Sequence, residues 1–363
     1  MATKLTCGDS RIGATALATY RFDTATSPLV ELLDVSNPVK PYLACTLMPA
    51  SGAHFLSDTK LAFWSGSELG TADLASGVIT RTARLAAIVG TGAFSPDGAK
   101  FAYRHWDDAG GMSLHLYSAG SDRTLYVREP IGGHGGTGLS FGPFDQVAFS
   151  ADGSLLLDRY AFGMQSLTVF KSDGSVAFLS ATATNGTWSP VGKTLYFLSL
   201  NQLGPTPSGD LHSWNADGEQ AVALNLNGFF WPRTSPDGTG IVYNASDNSI
   251  PGCGGVPHLW RLDLNTRRAT QISQSISSGP FFIQPTVVWS DEQKLSPCGP
   301  GGPSTEDGVL LAHDLRTGRD ATVDTTLLLP GTGGQSSPLP STYFLLDTWF
   351  APAGSTAGPA TAI

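Results

Sequence analysis

A tight-turn motif that recurs along the chain constrains the fold more than any other feature of the sequence. In each copy an apolar or β-branched residue and a serine precede a turn, as in Phe94-Ser-Pro-Asp-Gly98 and Thr234-Ser-Pro-Asp-Gly238. Proline presets φ, aspartate accepts hydrogen bonds from the turn backbone, and glycine supplies a positive φ. An alternating apolar strand follows most copies, so each copy predicts a β-hairpin. The serines of the six copies are Ser57, Ser95, Ser150, Ser189, Ser235 and Ser290.

A second turn signal follows each first one, for example Asp73-Leu-Ala-Ser-Gly77 and Asp314-Leu-Arg-Thr-Gly318, and again ends a strand-like run. Each unit therefore predicts strand, tight turn, strand, longer loop, strand, tight turn, strand, which is one four-stranded antiparallel blade. The copies recur at intervals close to the roughly 40–50 residues of a propeller blade. Sustained helical periodicity is absent.

The sequence thus predicts an all-β fold, a β-propeller of four-stranded antiparallel blades. An N-terminal unit with Ser10 in its first turn brings the number of blades to seven. Residues 342–350 form one further strand, which we expect to return to the first blade and close the ring, because an open ring leaves unpaired strand edges. We expect one domain over residues 1–350 and a loose tail over 351–363.

Composition excludes two classes of partner. The formal net charge is −9 and no basic stripe occurs, so binding to nucleic acid is not expected. No apolar run reaches the length of a membrane helix. Met1 leads directly into polar sequence without a signal peptide. We nevertheless expect a periplasmic or secreted protein whose leader is not present in this chain.

The Ser-Pro-Asp-Gly turn with its following strand, together with the Asp-x-x-Thr-Gly type of second turn, resembles the repeat of TolB-like propellers. The repeat is also similar to the propeller domains of prolyl-oligopeptidase-type peptidases. The resemblance covers roughly residues 50–327 and implies a propeller. The separate α/β domain of TolB and the hydrolase domain of the peptidases have no counterpart in this chain. Because the shared residues are turn formers, the resemblance assigns no functional residue.

The loops opposite the tight turns vary widely in length, which favours a functional face there. We call this side of the ring the variable-loop face and the other side the tight-turn face. The long loops are residues 105–111, 130–138, 201–210, 246–257 and 294–307.

Two functions remain open from the sequence. The first is a scaffold that binds a protein or a small-molecule ligand at the central channel. Its predicted ligand-binding residues are His54, Trp106, Asp145, Asn185, Trp231, Arg233 and Gln284. The second is a hydrolase of esters, lactones or phosphotriesters at the mouth of the channel, with a divalent metal such as calcium as a possible cofactor. Its predicted catalytic residues are His105, Asp107, Asp108 and His134.

Other motifs have a structural interpretation. Asp97, Asp152 and Asp237 are expected to be turn residues rather than catalytic acids. The glycine-rich segment 133–142 matches the GxGxxG and GxSxG patterns, but the helix that both patterns require does not follow it.

Four cysteines occur, none of them in a CxxC pair. Cys253 and Cys298 lie in corresponding loops of consecutive blades, so we expect a disulfide between them. Cys7 and Cys45 are expected at opposite edges of the first blade, which argues against their pairing and favours Cys45 as a buried thiol.

Overall fold

The computed structural model describes residues 3–8, 15–21, 28–87, 89, 91–106, 112–128, 146–161, 164–202, 208–227, 230–247, 256–273, 275–293, 309–324 and 343–350. These residues form 29 β-strands. None of the segments in these ranges is a helix that could cross a membrane.

Seven antiparallel sheets form the blades of a propeller, as the turn motif predicts. Blades 2 to 7 are meanders that run from the innermost to the outermost strand. Blade 2 contains β5 (Gly52–Ser57), β6 (Lys60–Ser65), β7 (Glu68–Asp73) and β8 (Ile79–Arg84), and blade 3 contains β9 (Thr91–Phe94), β10 (Lys100–Trp106), β11 (Met112–Ser118) and β12 (Ser121–Arg128). Blade 4 contains β13 (Gln146–Phe149), β14 (Leu155–Ala161), β15 (Met164–Phe170) and β16 (Val176–Ser180), and blade 5 contains β17 (Ala183–Trp188), β18 (Leu195–Gln202), β19 (Ser208–Asn215) and β20 (Gly218–Asn227). Blade 6 contains β21 (Phe230–Thr234), β22 (Gly240–Asp247), β23 (Val256–Asp263) and β24 (Arg268–Gln271), and blade 7 contains β25 (Ile276–Gln284), β26 (Val287–Gln293), β27 (Val309–Asp314) and β28 (Arg319–Thr322).

Blade 1 closes the ring with strands from both ends of the described chain. Its strands are β1 (Lys4–Cys7), β2 (Thr15–Arg21), β3 (Leu29–Asp34), β4 (Tyr42–Met48) and β29 (Tyr343–Phe350). Their order is β1-β4-β3-β2-β29, so the last strand of the chain is the innermost strand of the first blade. The predicted closure by residues 342–350 is confirmed, with Thr15 opposite Phe350 and Arg21 opposite Tyr343.

The predicted place of the first strand was wrong. The prediction put Ser10 in the first turn, which requires the residues before it to form the innermost strand. Instead β1 pairs with the outer strand β4 as a fifth strand, in the register Lys4 opposite Met48. The inner position of blade 1 is already occupied by β29, so β1 covers the outer edge of the sheet, which protects that edge from pairing with another chain.

The prediction that Cys7 and Cys45 do not pair was wrong for the same reason. The two residues are directly opposite each other in the β1–β4 ladder, with Cα atoms 4.0 Å apart, and they form a disulfide. The disulfide staples the outermost strand to the blade, and Cys45 is buried as half of a disulfide rather than as a thiol.

The Ser-Pro-Asp-Gly turns show why the motif recurs. Ser95 Oγ donates a hydrogen bond to Asp97 Oδ1 (2.6 Å) and accepts one from Lys100 N (2.9 Å), so one hydroxyl bridges the two sides of the turn. Gly98 adopts a φ of 68°, a conformation that glycine takes without steric cost. The serines of the motif are buried at positions 95, 150, 189 and 235.

The motif aspartates are turn residues, as predicted. Hydrogen bonds from Ser95 and from the backbone of Ala99 lower the pKa of Asp97. Partial burial acts to raise the pKa of Asp152, but hydrogen bonds from Ser150 and Ser154 outweigh it and hold this pKa at about 2. These carboxylates therefore stay ionised and fixed to their own turns, which leaves them unsuited to proton transfer.

The predicted register of blade 7 was wrong. Ser290 was assigned to the first turn of that blade, but it lies within the second strand, β26, and the turn is Pro285-Thr286 between Gln284 and Val287. This turn carries no Ser-Pro-Asp-Gly motif. The tripeptide Trp289-Ser290-Asp291, whose sequence is similar to part of the motif, lies within strand β26.

Apolar side chains on both faces of each blade fill the spaces between blades. Between blades 2 and 3, the ring of Phe94 lies 6.0 Å from that of Trp64 and 4.5 Å from that of Phe101. Neighbouring inner strands also contact each other, for instance β17 with β21, β21 with β25, and β5 with β29. The inner strands thus form a continuous wall around the axis.

Candidate binding site on the inner strands

Three consecutive inner strands, in blades 5, 6 and 7, carry the same β-bulge. In each, two residues of the inner strand oppose one residue of the second strand, because the register shifts between Thr184 and Thr187, between Phe230 and Arg233, and between Ser278 and Phe281. The first residue of every bulge has a positive φ, which is 54° at Asn185, 48° at Trp231 and 57° at Gly279. The inner strands of blades 3 and 4 pair without a shift. Bulges concentrate next to functional sites because they re-aim side chains and free backbone groups from the ladder.

Trp231 makes the bulge of blade 6 the most strained of the three. Glycine adopts a positive φ freely and asparagine tolerates it, but a bulky aromatic residue there costs on the order of 1–3 kcal/mol. Pro232 follows and has no backbone N–H to return to the ladder. Strain of this kind persists where the surrounding structure holds it in place, and it is often associated with a binding or catalytic site.

Hydrogen bonds across blades fix these inner strands relative to one another. Thr234 Oγ1 donates to Trp188 O (2.9 Å), and the hydroxyls of Thr187 and Thr234 lie 3.2 Å apart. Trp188 Nε1 in turn donates to Ala148 O (3.2 Å) of blade 4. The bulged segments of blades 5 and 6 are therefore anchored beside rigid partners.

Arg233 follows the strained bulge of blade 6. Its Nη1 donates to Pro232 O (3.2 Å), and among the described residues no carboxylate lies within ion-pair distance of the guanidinium. Burial lowers the pKa of Arg233, and no neighbouring charge opposes the effect. The residue as a whole is half-buried.

The register shows which way Arg233 points. Val242, directly opposite it on β22, packs against Phe282 and Val288 of blade 7. Residues opposite each other in a ladder share a face, so Arg233 lies on the side of blade 6 that faces blade 7. Thr234, the next residue, points to blade 5, as its hydrogen bond shows.

His54 and Asn185 of the predicted set are also on inner strands, whereas Gln284 is not at the predicted place. His54 is half-buried on β5, with Nε2 3.4 Å from Pro96 O in the first turn of blade 3. Gln284 was expected where the chain enters an inner strand, but it is the last residue of β25. It is buried, and its Nε2 donates to Ser36 O (2.9 Å) at the second tight turn of blade 1. Its observed contacts join blades 7 and 1 on the tight-turn face.

Of the four predicted catalytic residues, the structure describes one, His105. His105 lies on β10, the second strand of blade 3, and its ring is 6.4 Å from that of His115 in an edge-on arrangement. Trp106 ends the same strand. Six residues of the predicted binding, catalytic and disulfide sets lie outside the described part of the chain. They are Asp107, Asp108, His134, Asp145, Cys253 and Cys298.

A serine–histidine–aspartate arrangement occurs in blade 7 at distances typical of a catalytic triad. Ser290 Oγ is 2.9 Å from His313 Nε2, and His313 Nδ1 is 2.8 Å from Asp320 Oδ1. However, Ser290 is 0% exposed and His313 is 1% exposed, so no substrate reaches the hydroxyl. Glu292 Oε1 lies 2.9 Å from the same Nε2 and accepts from Ser290 Oγ (3.1 Å), which makes the cluster a buried ion pair rather than a nucleophile.

No group of three or more histidine, cysteine, aspartate or glutamate side chains with metal-binding geometry occurs in the described part of the chain. The expected calcium site stays a prediction, because several of its candidate loops lie outside that part.

Sequence reasoning identified Asn185, Trp231 and Arg233 but missed the bulges that group them. The sequence nevertheless contains a pattern that indicates bulges. Asn185-Gly186 and Gly279-Pro280 are dipeptides typical of turns, but they lie inside strands.

This chain resembles a solved β-propeller structure at low sequence identity. No family model and no curated protein matches it. Among solved structures, the β-propeller domain of the trilobed protease from Pyrococcus furiosus is 11% identical, with a TM-score of 0.50, over 75% of this chain and 84% of that one. A protein from Lactobacillus plantarum is 12% identical, with a TM-score of 0.50, over 96% and 99%. TolB from Acinetobacter baumannii is 15% identical, with a TM-score of 0.43, over 85% and 79%. The likeness to the propeller domain of the trilobed protease confirms the predicted propeller fold.

Proposed function

We propose that this seven-bladed propeller is an extracytoplasmic binding scaffold. In this proposal a protein or small-molecule ligand enters from the variable-loop face and contacts the inner strands of blades 5 to 7. The observation that carries the proposal is the run of three matching bulges, one of which holds a tryptophan at positive φ. A purely structural ring has no need of this strain, because the inner strands of blades 3 and 4 pair regularly without it.

Two further observations support the assignment. The Cys7–Cys45 disulfide suits an oxidising compartment, which favours a periplasmic or secreted location. The acidic net charge of −9 argues against nucleic acid as the partner.

The test compares two variants that relieve the same kind of backbone strain on opposite faces. Trp231→Gly removes the indole and the strain at the inner strand. Ala119→Gly is the matched control, because Ala119 has a φ of 50° in the tight turn between β11 and β12. Both proteins and the wild type are screened by thermal shift, and then by calorimetry, against a panel of short peptides and of carboxylated and phosphorylated metabolites.

We expect compounds that stabilise the wild type to bind the Trp231→Gly protein at least about tenfold more weakly, and the Ala119→Gly protein unchanged, since loss of a buried aromatic contact costs more than about 1 kcal/mol. Ligands that are lost only in the Ala119→Gly protein would place binding on the tight-turn face and refute the proposal.

The hydrolase alternative stays a prediction. Of its four candidate groups only His105 is described, and its ring lies edge-on to that of His115. Assays with esters, lactones and phosphotriesters, with and without a chelator, test it directly.

A further inference from the structure

Arg233 is a half-buried cation without a counter-ion among the described residues. Arg81, by contrast, lies 3.3 Å from Glu68. Burial in the ring lowers the pKa of Arg233, but a guanidinium stays protonated in proteins, so the charge remains. Partial removal of an unpaired charge from water costs free energy, and charged side chains in such places usually have a partner.

The hydrogen-bonding capacity of this guanidinium is largely unused. An arginine carries five N–H donors in a planar fork, and one of the two Nη atoms donates to the carbonyl of Pro232. The planar fork matches the two oxygens of a carboxylate or phosphate and binds them in a bidentate manner. The strained bulge directly before Arg233 sets the direction of this segment.

The interface between blades 6 and 7, which Arg233 faces, contains other polar atoms whose capacity is unused. Asn244 Oδ1 and Ser277 Oγ are buried and have no hydrogen-bond partner among the described residues. Asn244 Nδ2 donates to Ser277 O (2.7 Å), so the two residues lie in the same interface. Asn244 is two residues from Val242 on β22 and therefore shares its face, the face of Arg233.

We infer that Arg233 is the anion-recognising residue of the proposed binding site, and that the ligand presents a carboxylate or phosphate to it inside the ring. This inference rests on the proposed function and specifies the chemistry of the ligand. The bound oxyanion neutralises the guanidinium and occupies the donors that the protein leaves free.

Sodium phosphate and sodium citrate are the probes, each titrated into the full chain by calorimetry at constant ionic strength set with sodium chloride. The two anions separate a phosphate ligand from a carboxylate ligand. The variants are Arg233→Gln, which removes the charge, and Arg233→Lys, which keeps the charge but loses the fork. Arg316→Gln is the control, because Arg316 is exposed on the tight-turn face.

We expect at least one anion to bind the wild type and the Arg316→Gln protein equally. The dissociation constant should rise about tenfold or more in Arg233→Gln, the usual size of a hydrogen-bonded charge contact, and by a smaller factor in Arg233→Lys. Absence of binding to the wild type, or equal binding by Arg233→Gln, would overturn the inference.

A second measurement separates recognition from a structural role. Without anion, the Arg233→Gln protein should unfold at the same temperature as the wild type or higher, because an unpaired charge that is partly removed from water is no longer present. A lower unfolding temperature would show that Arg233 stabilises the ring and would contradict the inference. If Trp231→Gly still loses peptide or metabolite ligands while Arg233→Gln binds them normally, the binding scaffold stands and only the anion assignment fails.

Discussion

Replacing His313 with glutamine tests the buried ion pair that lies in blade 7. The Glu292 side chain is 3% exposed and its Oε1 lies 2.9 Å from His313 Nε2. In the His313→Gln protein, Glu292 still accepts the hydrogen bond from the hydroxyl of Ser273 (2.7 Å), but it loses its positively charged partner. Removing one partner of a buried pair costs about 3–5 kcal/mol, because the remaining charge stays buried without compensation. Asp320 adds little, since its side chain is 50% exposed.

The chain supplies a matched control at the same relative position. His212 contacts Glu219 seven residues later, just as His313 contacts Asp320, but the two side chains are 22% and 39% exposed. Exposed pairs of this kind contribute about 0–1 kcal/mol. Urea unfolding at neutral pH, followed by tryptophan fluorescence, should therefore show a loss of free energy of unfolding in His313→Gln several times larger than in His212→Gln.

The pH dependence gives an independent check. Burial acts to lower the pKa of His313, but hydrogen bonds to Glu292 and Asp320 outweigh it and raise this pKa above 6.5. Burial acts to raise the pKa of Glu292, but the contacts with His313 and Ser273 lower it below 4.5.

The contribution of His313 is complete below pH 6.5 and is lost as the pH rises through its raised value in the folded protein. The contribution of Glu292 is complete above pH 4.5 and is lost as the pH falls through its lowered value. Stability from the pair is therefore greatest between these pH values, and the decline toward alkaline pH should be weaker in His313→Gln. Equal losses in the two variants, or an unchanged alkaline decline, would refute the reasoning.

The remaining predictions concern the staples and the closure of the ring. Replacing Cys7 and Cys45 with serine should cost about 4 kcal/mol from loop-closure entropy over their sequence separation of 38, and identical urea midpoints for variant and wild type would contradict this. Thiol titration under denaturing, non-reducing conditions should find no free thiol. Two free thiols would show that one of the two disulfides is absent, and four would rule out both. Removing residues 343–350 should expose the edge of β2, lower the unfolding temperature and cause association detectable by light scattering. A monomeric truncated chain with an unchanged unfolding temperature would show that closure is not required.

The local chemistry of the turns made most of the fold predictable. Ser95, Asp97 and Gly98 satisfy one another within five residues, so their pattern carries its structure wherever it occurs. The number of blades and the return of the last strand followed from counting these turns. The first turn of blade 7, Pro285-Thr286, lacks the motif. The similar tripeptide Trp289-Ser290-Asp291 was therefore assigned to that turn, although it lies within the second strand.

The candidate site was predictable only in part. Arg233 and Trp231 were identified because they follow a predicted loop, but the left-handed bulges depend on how each inner strand fits its neighbours. Gln284 was misplaced because an amide near a strand end has the same sequence signal whether it faces a ligand or joins two blades.

By itself, the sequence determined the all-β architecture, the repeating blade and the closing strand, because these follow from hydrogen bonds and backbone preferences within a few residues of each turn. Tertiary structure alone decided that β1 lies outside β4, that Cys7 meets Cys45, and that Arg233 faces blade 7 with no counter-ion in the described part of the chain. Those outcomes depend on contacts between residues far apart in the chain, and on which strand already occupies each edge of a sheet. No local pattern encodes that information.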